Sequence, residues 1–129
     1  MYFHTFQTQE ERRAYGGSDF LELQSCTLPL GTALQDIVSP DRIHHWKNDS
    51  LYLYGEDSEA FLSDYEAILK NGVANDLESE TPDLFGINYY SPKETEMIKA
   101  RLKAEQPPAY EILLDWLENA CNGFYLLGL

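Results

Sequence analysis

Cysteine is scarce, with Cys26 and Cys121 the only two in 129 residues, and they are far apart and in no C-x-x-C pattern. That spacing predicts neither a disulfide framework nor a zinc or redox motif, and both thiols are expected to be free and packed in apolar surroundings. Basic residues are nearly as limited, with nine Lys and Arg against 22 Asp and Glu. The formal net charge of −13 excludes binding to nucleic acid by phosphate neutralisation and disfavours anionic membranes. No run approaches the ~20 consecutive apolar residues that span a bilayer. Met1 to Glu11 has neither the basic nor the apolar region of a secretory signal, so a cytoplasmic chain is expected.

Recognisable chemistry is thin as well. The sequence has no G-x-S-x-G, no phosphate-binding glycine loop, no calcium-loop pattern and no Cys–His pairing. Its only local histidine constellation is His44-His45-Trp46 with Asp41 upstream. Adjacent histidines on an extended segment point different ways, whereas a metal needs three or four convergent ligands. Carboxylates abound, but a catalytic pair needs a fixed separation and divergent pKa values, which composition does not provide. The expectation is a non-enzyme without metal or cofactor; the enzymatic alternative is a small hydrolase or metal-dependent enzyme using His44, His45 and nearby acids.

What is present is a foldable pattern and an uneven charge. The 43% hydrophobic and 13% aromatic content suits a single globular domain over residues 1–129. Tyr2–Phe6 reads as a possible N-terminal strand, Gly16-Gly17 as a turn and Ser18–Leu28 as a weak strand, while Thr32–Val38 has room for one or two helical turns between Pro29 and Pro40. Leu51-Tyr52-Leu53-Tyr54 alternates as a strand with leucines on one face and tyrosines on the other. Asp57 or Ser58 is expected to cap a helix whose apolar stripe is Phe61, Leu62, Tyr65, Ile68 and Leu69 and whose stop is Asn71-Gly72.

Val73–Asp83 reads as an exposed acidic loop, and Leu84–Tyr90 as a strand. Ser91-Pro92-Lys93-Glu94 is a capping box with proline at the first helical position, opening a helix to about Glu105 with Met97, Ile98 and Leu102 inward. Pro107-Pro108 breaks the chain before a helix with Tyr110, Leu113, Leu114, Leu117 and Cys121 inward and Asn122-Gly123 at its end. Phe124–Leu129 reads as a buried strand. Together these elements predict an α+β domain, with one mixed or antiparallel sheet and about three helices packed against it.

Between Asp49 and Asp83 ten acids face the single base Lys70, a net −9 that dominates the field of the molecule. The bland explanation is a solvated surface kept soluble by like charge. The sharper one is a docking face for a basic protein, with Asp76, Glu78, Glu80 and Asp83 in the loop and Glu56, Asp57 and Glu59 as a second patch. Tyr52, Tyr54, Tyr89 and Tyr90 are expected to fill the core with hydroxyls reaching solvent, or else to serve as aromatic anchors beside the loop.

The chain resembles in style the immunity proteins of bacterial polymorphic toxins, including those of contact-dependent growth inhibition. The likeness lies in the small acidic domain with its acidic loop, in Phe85-Gly86-Ile87-Asn88-Tyr89-Tyr90-Ser91-Pro92-Lys93-Glu94-Thr95-Glu96, in the helix from Tyr110 to Asn119, and in Asn122-Gly123-Phe124-Tyr125-Leu126-Leu127-Gly128. These immunity proteins share no functional motif that transfers by position. The resemblance implies a cytoplasmic protein that neutralises a cognate toxin, often a nuclease with a cationic groove, by occupying that groove or a neighbouring surface. A regulatory interaction domain with some other partner is the remaining alternative.

Overall fold

The computed structural model describes residues 3–16, 20–39, 49–70, 73–74, 87–120 and 122–128. In chain order these form α1 (Gln9–Gly16), β1 (Phe20–Ser25), α2 (Leu34–Ile37), β2 (Leu51–Tyr54), α3 (Gly55–Leu69), β3 (Val73–Ala74), β4 (Ile87–Tyr90), α4 (Pro92–Glu105), α5 (Tyr110–Leu117) and β5 (Phe124–Gly128). The strands make one sheet in the order β2-β1-β5-β4-β3, with every neighbouring pair antiparallel. This is the expected α+β fold.

Strand alternation assigns the two faces. Leu23 stands opposite both Leu51 and Leu126, and Tyr90 opposite Phe124, so these side chains share one face. Onto it pack Phe61, Tyr65, Ile68 and Leu69 of α3, Ile98 and Leu102 of α4, and Leu113 and Leu117 of α5. Burying each such side chain contributes roughly 1.5–3 kcal/mol before its ordering entropy is counted. The other face is also covered: Tyr89, Tyr125 and Leu127 cluster with Cys26, Ile37 and Val38, and Phe6 packs on Tyr52. The chain's last strand is therefore central, and its run Phe124-Tyr125-Leu126-Leu127 is buried on both sides. That explains why it is apolar without alternation.

At the N-terminal end the expected strand Tyr2–Phe6 reduces, among the described residues, to a single bridge in which His4 and Tyr52 exchange backbone hydrogen bonds of 2.8 Å. Helix α1 follows it and has no counterpart in the sequence reading. Its start is nonetheless marked by Thr8 and Glu11: the Thr8 hydroxyl accepts from the Glu11 amide at 3.1 Å, and the Glu11 carboxylate accepts from the Gln7 amide at 3.2 Å. Four apolar-poor residues, Gln9 to Arg12, hid a capping box of the kind recognised later in the chain.

The expected cap of α3 is also displaced. The helix begins at Gly55 with Tyr54 as N-cap and no side-chain cap, so Asp57 and Ser58 lie within the first turn. Strand β2 runs directly into the helix, and the backbone leaves the extended region three residues earlier than side-chain chemistry suggested. At α4 the capping box forms as expected, Ser91 Oγ accepting from the Glu94 amide at 3.2 Å with Pro92 at the start. The inward stripe is Thr95, Ile98 and Leu102; Met97, expected inside, is 51% exposed. Spacings of three and four put Thr95, Ile98 and Leu102 on one line, and Met97 falls off it.

Helix α5 ends at Leu117, and a turn through Ala120 leads to Gly123. Gly123 has φ +90°, and a Cβ there would collide with the Tyr90 carbonyl and crowd the Tyr89 hydroxyl. Asn71-Gly72 and Cys121 lie outside the described residues.

Candidate functional site

The acidic patch at the start of α3 follows from the way that helix docks. Phe61, Tyr65, Ile68 and Leu69 are buried against the sheet, which turns Glu59, Asp64 and Glu66 to solvent and leaves Asp57 half-buried. Residues seven apart stand almost one above the other, two turns along the helix. Asp57 thus aligns with Asp64, and Glu59 with Glu66, in two acidic stripes that bracket the outward surface. The backbone of Glu56 lies in the same first turn.

Two nearby bases on α4 pair with acids outside α3, although one of them also reaches the α3 backbone. Lys99 contacts Glu96 at 3.1 Å and Glu118 at 3.5 Å, and Arg101 binds Glu105 at 2.7 Å while donating to the Ala67 carbonyl at 2.6 Å. Among the described residues no ion pair involves Asp57, Glu59 or Glu66.

The acids expected in the loop, Asp76, Glu78, Glu80 and Asp83, lie outside the described residues, as do His44, His45 and Trp46. Among the described residues no group of three or more His, Cys, Asp or Glu is placed to hold a metal ion, and no helix is long and apolar enough to cross a membrane.

The tyrosines are core residues, though not in the expected manner. Tyr52 and Tyr90 are fully buried and Tyr89 nearly so. Their hydroxyls do not reach out to water: Tyr90 donates to the Leu69 carbonyl at 2.6 Å and Tyr89 to the Asn122 carbonyl at 3.1 Å. Burial pushes the Tyr89 phenol up to about 12, with smaller additions from Cys26 and Glu94, so it stays a donor across the physiological range. None of Tyr52, Tyr89 and Tyr90 offers a surface anchor.

A polar cluster on the opposite face of β1 was not anticipated. In Phe20-Leu21-Glu22-Leu23-Gln24 the alternation suggests that Glu22 and Gln24 face water, yet both are fully buried. Glu22 accepts from Ser50 Oγ at 2.7 Å and Gln24 Nε2 at 3.0 Å, both through one carboxylate oxygen. Its other oxygen has no hydrogen-bond partner among the described residues. Arg12 of α1 lies over the Tyr52 ring, 5.7 Å from its centroid. Desolvation raises the Glu22 pKa above the ordinary carboxylate range, against smaller opposing effects of Ser50, Gln24, Tyr52 and the Arg12 charge. No sequence signal distinguishes a strand face covered by an N-terminal helix from one left wet.

The clefts on the described surface include two of similar volume. One, of about 210 Å³, runs from Cys26 past Leu28, Leu34 and Ile37 to Tyr89 and Pro92. Its thiol is committed inward, donating to Tyr125 Oη at 3.7 Å. The other, of about 260 Å³, is walled by Ser25, Asp49, Trp116 and Asn119 at one end of the sheet.

No known protein family matches the chain, and neither a curated protein nor a solved structure does.

Proposed function

We propose that the protein is a cytoplasmic, non-enzymatic antagonist that binds a basic protein through its acidic surface, and specifically an immunity protein that neutralises a cognate nuclease-type toxin. The observation that carries this reading is the exposed pair Glu59 and Glu66, one above the other on α3 and in no ion pair among the described residues, while Lys99 and Arg101 pair with other acids. Carboxylates held in this way can occupy positions that phosphates take in a cationic groove, and the net charge of −13 accelerates encounter with such a surface. Glu56 and the segment carrying Asp76, Glu78, Glu80 and Asp83 extend the same field in sequence.

Co-purification with the product of the adjacent gene, followed by calorimetry, tests the proposal. Binding should weaken on the order of tenfold between 0.05 and 0.3 M salt. Reversal of Glu59 and Glu66 to Lys should slow association, and reversal of Glu78 and Glu80 should do the same if the loop contributes. Binding that ignores both salt and all four reversals would refute an acidic docking face. Metal in the purified protein, together with an activity lost in His44→Ala or His45→Ala, would instead establish the enzymatic alternative.

A further inference from the structure

No further inference is drawn: the strongest candidate, the largely apolar cleft of about 210 Å³ between residues 26–37 and the start of α4, lined in part by the exposed Leu30 and Leu34, carries nothing because nothing in the structure shows what covers it.

Discussion

Glu22 lies between Leu21 and Leu23, which face the helices, while its own carboxyl is turned to the other side of the sheet among Ser50, Gln24, Tyr52 and Arg12. In the folded protein its pKa is raised by burial, so between the ordinary value near 4.5 and that raised value the native state binds more protons than the unfolded chain. Stability from this site is therefore greatest at low pH, falls as pH climbs through that window, and levels off above it. Denaturant melts of the parent and Glu22→Gln across pH 4.5 to 8 should diverge, the variant losing less stability than the parent; the difference between the two removes the background of the other carboxylates. Glu22→Ala should instead destabilise at every pH, by roughly 1–3 kcal/mol for each donor left unpaired, because Ser50 and Gln24 then point at an apolar gap. Identical pH profiles for parent and Glu22→Gln would show that the buried carboxyl does not titrate in this range.

Helix α4 separates what local chemistry decides from what packing decides. Its start is held by Ser91 and Glu94, so Ser91→Ala should cost about 1 kcal/mol in a urea melt, within a range of roughly 0.5–2. Along its length, Met97 and Ile98 are adjacent in sequence and opposite in consequence. Met97→Lys should leave stability within about 0.5 kcal/mol of the parent, since the side chain stands mostly in water. Ile98→Ala should cost about 2–5 kcal/mol, because it empties a site between helix and sheet. A larger loss from Met97→Lys than from Ile98→Ala would mean the helix is rotated about its axis. The apolar stripe of α4 was legible apart from its phase, since Met97 and Ile98 each fit a periodic series and only Thr95, a polar residue buried with its hydroxyl on the Ser91 carbonyl, selects between them.

For the whole molecule, the decisive feature is that β5 joins the two halves of the sheet. It pairs with β1 on one side and β4 on the other, so among the described residues the first strand and the fourth are joined in the sheet through β5. Deletion of Phe124–Leu129 should abolish cooperative unfolding and leave a collapsed chain that binds a hydrophobic dye, rather than trimming a few tenths of a kcal/mol as loss of a frayed terminus would. A truncated protein with a sharp melt would disprove this topology. The same arrangement leaves β2, bridged by His4, and the two-residue β3 as the edges of the sheet. Short edges of this kind limit sheet-to-sheet association.

The sequence by itself determined the elements with strong local periodicity or explicit capping: the Leu–Tyr alternation of β2, the buried stripe of α3, the Ser91 capping box, the break at Pro107-Pro108 and the apolar run of β5. It also determined the excess of acid, which depends on composition alone. The tertiary structure decided which strands became neighbours, that α1 and α2 would contribute to the second face of the sheet, that Glu22 would be buried, and that Asp49 and Trp116 would meet across 67 residues of chain. Periodicity and capping arise between residues a few positions apart and can be read from the order of amino acids. Register, desolvation and clefts arise between segments whose separation is set only when the apolar faces have closed on one another.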